Sequence, residues 1–258
     1  MSNQTALHYS LVIPAFNEVE RLRPPLERAV EWLRGRGRPF EIIVSDDGSS
    51  DGTTGLVERL RTEIPELRLV RSPVNRGKGH AVRIGVAAAA GSLVLLADAD
   101  GATPIDQLVL LEAAIDAGAD VAIGSRAHAD NVERRWYRHL IGRSFHLLVR
   151  LFGTRGIRDT QCGFKLFTAS SAKDLFSRAR INGFSFDVEI LLLAQRLGHR
   201  IAEVPVAWVH QPGSRINLVT DSMRMALDLI VIRVRALRGI EPAVASRSTS
   251  LANPRNTV

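Results

Sequence analysis

Leu93-Val94-Leu95-Leu96-Ala97-Asp98-Ala99-Asp100 is the stretch that decides the fold. Its apolar run shows no polar alternation, the mark of a strand covered on both faces and hence central in a parallel sheet. In an extended chain residues i and i+2 project to the same side. Asp98 and Asp100 are therefore expected to share one hard divalent cation at the carboxyl edge, where open α/β sheets bind ligands. Taken alone, an Asp-x-Asp after an apolar run is more often turn chemistry, so the neighbouring segments must decide.

Outward from this run, apolar strands alternate with helical stretches. Strands are expected at 10–13, 41–45, 68–71 and 121–124, and helices at 23–34, 51–62, 79–90 and 106–117. The first strand is expected to stop at Pro14. This order implies a parallel sheet with right-handed crossovers. Beyond Arg126 the texture changes to an amphipathic helix over 136–152 and a glycine-bearing loop. A strand at 164–168, helices at 170–178 and 186–197, a strand at 200–208 and a long helix at 217–238 follow. Residues 239–258, with Pro242, Pro254 and several Ser, Asn and Arg, read as a disordered tail.

The chain has 258 residues, 45% hydrophobic and 24% charged, enough for a large core. A net charge of +7 favours a polyanionic partner: nucleic acid, an anionic membrane surface or phosphorylated substrates. Scarce aromatic residues (5%) and the lack of an RNA- or DNA-binding motif argue against nucleic acid. A single cysteine, Cys162, allows neither an intramolecular disulfide nor a cysteine metal cage and fits a reducing compartment. The start, Met1-Ser2-Asn3-Gln4-Thr5, lacks the basic and then apolar pattern of a secretory signal. The longest near-apolar stretch, 84–97, is shorter than the roughly 20 residues a membrane span requires. A cytoplasmic protein, peripheral to the inner face of the membrane, is the expectation.

Two loops share the sheet edge with Asp98 and Asp100. Pro14-Ala15-Phe16-Asn17-Glu18 follows the first strand, and Asp46-Asp47-Gly48-Ser49-Ser50-Asp51-Gly52-Thr53 follows the second. Their carboxylates and backbone groups can read a nucleobase edge or ribose hydroxyls, with Ser50 or Asp51 capping the next helix. Caps and turns account for either loop by itself. Asn75-Arg76-Gly77-Lys78-Gly79-His80-Ala81 opens a helix, so its glycines permit close approach while Lys78 and the helix N-terminus favour phosphate. Neither a Walker A spacing nor Gly-x-Gly-x-x-Gly after the first strand is present.

Taken together, residues 12–18, 44–53, 75–85 and Asp98-Ala99-Asp100-Gly101-Ala102-Thr103-Pro104 resemble the inverting family 2 glycosyltransferases of GT-A fold. The resemblance continues through Gly124-Ser125-Arg126, Arg158-Asp159-Thr160-Gln161-Cys162-Gly163-Phe164-Lys165-Leu166-Phe167 and Phe186-Asp187-Val188-Glu189. These are similar to the branch that glycosylates polyprenyl or dolichyl phosphate, the stretch 158–167 especially to dolichyl-phosphate β-glucosyltransferases. It spans about residues 8–238 and implies an α/β fold, a mainly parallel GT-A sheet flanked by helices, with C-terminal amphipathic helices at the membrane surface. A nucleotide-sugar half, 8–126, would precede an acceptor half, 127–238.

The resemblance implies transfer of a hexose, glucose from UDP-glucose, onto dolichyl or polyprenyl phosphate with inversion. A GDP-mannose-dependent mannosyltransferase is the alternative within the class, and a basic lipid- or nucleic-acid-binding module the alternative outside it. Donor binding falls to Pro14, Ala15, Asn17, Glu18, Asp46, Asp47, Lys78, Asp98, Ala99, Asp100 and Arg215, with Mg²⁺ or Mn²⁺ on Asp98 and Asp100. Asp187 and Glu189 join Asp98 and Asp100 as catalytic candidates, orienting sugar hydroxyls or the metal, although helix-dipole placement explains them as well. Arg126 and Arg138 resemble the residues that grip the acceptor phosphate. Related mannosyl enzymes often carry a serine four residues beyond the second arginine, where this chain has Gly142. His210-Gln211-Pro212-Gly213-Ser214-Arg215 resembles a loop closing over the donor, with His210 structural.

The helix over 136–152 interleaves Trp136, Tyr137 and Phe145 with Arg138, Arg143 and Arg150. Core packing explains that stripe on periodicity alone, and the implied lipid acceptor turns the expectation towards an anionic membrane surface. Residues 223–237 are expected to supply a second surface helix, through Met225, Leu229, Ile232 and Leu237 beside Arg224, Arg233 and Arg235.

Overall fold

Alternate residues along each strand enter different cores. Leu11, Ile13, Ile42, Val44, Leu95, Ala122 and Leu166 pack into one buried cluster, and Val12, Ile43, Val94, Leu96, Val121, Ile123 and Phe167 into another. The computed structural model describes residues 6–126, 156–209, 211 and 218–237. The elements are β1 (Tyr9–Ala15), α1 (Arg23–Gly35), β2 (Phe40–Asp46), α2 (Thr53–Leu60), β3 (Leu67–Arg71), α3 (Lys78–Ala87) and β4 (Leu93–Leu96). A short 3₁₀ turn (Ile105–Gln107) leads into α4 (Leu108–Asp116), followed by β5 (Val121–Ser125), β6 (Lys165–Thr168), α5 (Ala169–Arg178), α6 (Phe186–Arg196), β7 (Ile201–Pro205) and α7 (Leu218–Leu237). The first cluster takes in α1, α2 and α4, and the second α3, α5, α6 and α7, so helices cover both faces of the sheet.

The strands run in the order β3-β2-β1-β4-β6-β5-β7. All pairings are parallel except the two made by β6, which is inserted antiparallel between β4 and β5. The parallel sheet expected from the first five strands is therefore interrupted by one strand from the second half of the chain. β5 keeps the direction of β4, because both oppose β6. The carboxyl ends of β1, β2, β4, β5 and β7 and the start of β6 consequently meet on one edge.

β1 continues through Pro14 to Ala15, where the sequence suggested a stop. The β1–β4 ladder ends at Val12↔Leu96 while β1–β2 runs on to Ala15↔Asp46. Beyond Val12 the strand has a neighbour on one side only, and a residue without an N–H fits there. The stripe expected to face a membrane on α7 is corrected too. Leu229 and Ile232 are buried against the body, whereas Leu227, Ile230 and Val231 are exposed beside Arg224 and Arg233. The helix expected over 136–152 and the tail 239–258 lie outside the described residues. Among those residues no helix is long and apolar enough to cross a membrane.

Leu166 is fully buried in β6, between two strands and under α4. Leu166→Ala is expected to lower the unfolding free energy by about 3 kcal/mol in a urea titration. Unchanged stability would contradict the central position of β6.

Candidate active site

The loops after β1 and β2 are tied to each other. Asn17 adopts a left-handed backbone (φ 57°), which asparagine tolerates better than most residues. Its amide donates to Ser49 Oγ at 2.8 Å, and its side-chain carbonyl accepts the Ser50 amide at 2.8 Å. The Glu18 amide donates to Thr53 Oγ1 at 2.8 Å, and the Glu18 carboxylate pairs with Arg21. The N-cap position of α2 falls on Gly52, where the sequence suggested Ser50 or Asp51, and Asp51, the residue before it, accepts the Thr53 amide. Asp46 is buried and accepts the Ser49 amide and the Thr54 hydroxyl, while the Ala15 carbonyl accepts the Asp47 amide. Asn17, Glu18, Asp46 and Ala15 thus build the rim, with Pro14 inside β1.

Asp47 carries the rim across to α3. Its Oδ2 accepts the amides of Arg76 (2.9 Å) and Gly77 (2.6 Å). The Gly79 amide donates to the Asn182 carbonyl at 2.7 Å, and a Cβ on Gly77 or Gly79 would fall 2.5 Å from the backbone oxygen of Asn182 or Ile181. These glycines let the 181–182 segment approach. Of the expectation that Lys78 and the helix N-terminus favour phosphate, the helix-terminus part is limited: the amides of Gly77 and Gly79 are already engaged, and the Lys78 side chain remains.

Asp98 follows the end of β4, and residues 98–101 form a turn closed by the Gly101 amide on the Asp98 carbonyl (3.2 Å), with Gly101 at φ 65°. The extended geometry expected to aim both carboxylates one way is absent. Asp100 Oδ1 accepts the Ala102 amide at 3.0 Å, and Ala99 is buried between the two. Lys78 Nζ donates to Asp98 Oδ1 at 2.6 Å. Burial works against the charge of both groups, yet their attraction prevails, holding the Lys78 amine above its ordinary value and the Asp98 carboxyl below it.

Beneath this pair lies a second one. Lys165 of β6 is almost wholly buried, with Nζ 2.5 Å from Asp187 Oδ1 and 2.5 Å from the Cys162 carbonyl. Burial raises the Asp187 carboxyl against the opposing pull of Lys165 and Lys78. Lys78, Asp98, Lys165 and Asp187 form one cluster of alternating sign, delivered by α3, β4, β6 and α6. Glu189 stands apart from it: its carboxylate accepts the amides of Arg180 (2.9 Å) and Ile181 (2.8 Å), which makes it the brace of the 180–182 segment. Burial holds its carboxyl above the ordinary range.

Arg126, at the end of β5, grips Asp159 with two parallel bonds (Nε 2.7 Å, Nη2 2.8 Å), and its guanidinium lies 5.8 Å from the Trp208 ring centre. Burial disfavours the ions, but the paired bonds hold Arg126 above and Asp159 below their ordinary values. Arg138, Arg215 and His210 lie outside the described residues. Lys165, Asp159 and Gly163 carry much of the geometry without having been singled out in the sequence. The signal for Lys165 was there: a lone lysine in an apolar strand must find a buried partner.

Among the described residues no group of three or more His, Cys, Asp or Glu side chains is arranged to hold a metal. The carboxylates of Asp98 and Asp100 nevertheless stand at the edge with one oxygen each already engaged, which suits a cation that arrives with phosphate ligands of its own.

Asp159→Asn is expected to cost roughly 1–3 kcal/mol at pH 7 by urea unfolding, since it leaves a partly buried guanidinium without its carboxylate. The folded Asp159 titrates below its unfolded value of about 3.9. Its contribution is therefore present above that pH and lost as the pH falls through the folded value. The difference between wild type and variant should persist down to about pH 4 and narrow below it; a difference constant throughout would contradict the ion pair.

The sequence model of Glycosyl transferase family 2 matches residues 10–176. The chain is 40% identical over 252 residues to the dolichyl-phosphate beta-glucosyltransferase of Saccharomyces cerevisiae, covering 90% of this chain and 75% of that one. It is 39% identical over 239 residues to dolichyl-phosphate beta-glucosyltransferase ALG5A of Trichomonas vaginalis, covering 89% and 74%. The fold matches Mycobacterium tuberculosis glucosyl-3-phosphoglycerate synthase, crystallised with Mn²⁺, UDP and glucosyl-3-phosphoglycerate. That match has a TM-score of 0.64 and 20% identity over 88% of this chain and 80% of that one. With this GT-A sheet, these edge loops and relatives of this similarity, the chain belongs to glycosyltransferase family 2 and is an enzyme of that family.

Proposed function

We propose that the protein transfers glucose from UDP-glucose to the phosphate of dolichol or another polyprenol, inverting the anomeric carbon. The observation that carries this reading is the pair Asp98 and Asp100, with Lys78 beside it, at a sheet edge walled by two cross-linked loops. It stands in a chain about 40% identical to dolichyl-phosphate beta-glucosyltransferases. The names of those relatives favour glucose over the GDP-mannose alternative. Family membership removes the non-enzymatic binding module.

The loops 14–18 and 46–53 bound the space for the nucleoside, and Asp98 and Asp100 would hold Mg²⁺ or Mn²⁺ against the diphosphate. When bound, the cation neutralises charge on the departing nucleoside diphosphate. Lys78 supplies a positive charge in the same place. The acceptor is a phosphate monoester, already anionic at neutral pH, and its oxygen attacks the anomeric carbon opposite the diphosphate. One C–O bond forms as the other breaks, and no proton need be removed. A general base is therefore unnecessary, in keeping with the bracing role of Glu189 and the buried pairing of Asp187 with Lys165.

Arg126, oriented by Asp159, and Arg138 are assigned to the acceptor phosphate, and Arg215 to the donor. Peripheral attachment to an anionic membrane surface through residues 136–152 would bring the site to a lipid acceptor.

Incubation with Mg²⁺ or Mn²⁺, a short polyprenyl phosphate and either UDP-glucose or GDP-mannose tests the proposal. A glucosyl lipid from UDP-glucose is expected. Asp100→Asn should lower kcat at least about 100-fold without changing the melting temperature. A mannosyl lipid alone would overturn the donor, no lipid product would overturn the acceptor, and full activity of the variant would remove Asp100.

A further inference from the structure

Lys78 pairs with Asp98, with 2.6 Å between Nζ and Oδ1. Both side chains remain reachable from solvent, Lys78 at 24% and Asp98 at 37% exposure, so an arriving ligand can rearrange them. The carboxylate is also confined. A Cβ on Gly163 would fall 2.1 Å from Asp98 Oδ2 and 2.5 Å from Oδ1, so both oxygens lie against the bare Cα of that residue. The alternation of charge continues inward, since Lys78 lies in the field of Asp187, and Asp98 in that of Lys165.

We infer that Lys78 is a resident counter-ion of the metal site, so that the divalent cation binds with the donor's diphosphate and not ahead of it. The inference rests on the reading of Asp98 and Asp100 as the metal-binding pair. A divalent cation approaching the free enzyme meets a carboxylate already neutralised by an ammonium group, and is repelled by that ammonium. Among the described residues no third carboxylate, histidine or cysteine completes a metal-binding group there. A diphosphate changes both conditions: it brings oxygen ligands for the cation and enough negative charge to take over the ammonium of Lys78. The amides of Arg76, Gly77 and Gly79 are spent on Asp47 and Asn182, so this loop meets the donor chiefly through side chains, that of Lys78 among them. Metal and nucleotide then strengthen each other's binding by the same factor.

Mn²⁺ binding to the full chain, followed by the electron paramagnetic resonance of free Mn²⁺ with and without UDP, tests this. Without UDP, Lys78→Met and Lys78→Gln should each bind Mn²⁺ at least about tenfold more tightly than wild type, while Lys78→Arg stays with wild type. UDP should tighten Mn²⁺ binding more in wild type than in the neutral variants, after allowance for the Mn²⁺–UDP complex in solution. Folded neutral variants that bind Mn²⁺ no more tightly than wild type would overturn the inference. Failure of wild type to bind Mn²⁺ even with UDP, or undiminished binding by Asp98→Asn, would instead remove the metal site on which it rests.

Discussion

A lysine ammonium buried in the middle of a sheet cannot stand without a counter-charge, and Asp187 supplies it to Lys165 at 2.5 Å. That requirement fixes where α6 lies on β6. It also sets the rest of the site: β6 enters between β4 and β5, the segment leading into it carries Gly163 against Asp98, and α6 comes beside α3, which presents Lys78. Hydrophobic burial favours the layered arrangement without choosing its register. The ion pair and its bond to the Cys162 carbonyl do choose it, because a shift of one residue would turn Lys165 towards the opposite, apolar cluster.

The rim follows the same logic of polar groups that must be satisfied. Asp47 and Asn17 spend their hydrogen-bonding capacity on backbone amides of neighbouring loops, and Asp46 accepts an amide of its own loop. The loops are thereby held open with the lost conformational entropy already accounted for before a ligand arrives. Glu189 does the same for the 180–182 segment, against which the glycines of the α3 entrance pack. An acidic side chain near a candidate site therefore need not touch substrate. Glu189 shapes the floor, Asp47 joins two walls, and Asp98 is held by Lys78 at the opening.

The order of strands and helices was legible because burial on two faces leaves apolar runs, and because turn and cap residues punctuate them. Family motifs located the edge loops. Strand direction was not legible: the four residues of β6 read the same parallel or antiparallel, and only their pairing with β4 and β5 decides. Pro14 looked like a terminator because its neighbour on one side was unknown. The Asp98–Asp100 geometry was misjudged through the assumption that β4 stays extended, when Gly101 closes a turn. Two residues of the α7 stripe, Leu229 and Ile232, were assigned to the wrong face, since periodicity marks an apolar side but not what covers it, and both pack inward. Lys165 was visible as an anomaly, its partner was not, because Asp187 is 22 residues away.

If the Lys165–Asp187 pair sets the register on which the site depends, the two residues must act as a unit. A double-mutant cycle with Lys165→Met, Asp187→Leu and the combined variant, read by urea unfolding at pH 7, measures this directly. Each single change should cost about 3 kcal/mol by stranding a buried charge, and the combined variant should cost less than their sum by at least about 1 kcal/mol. Strictly additive losses would contradict the account.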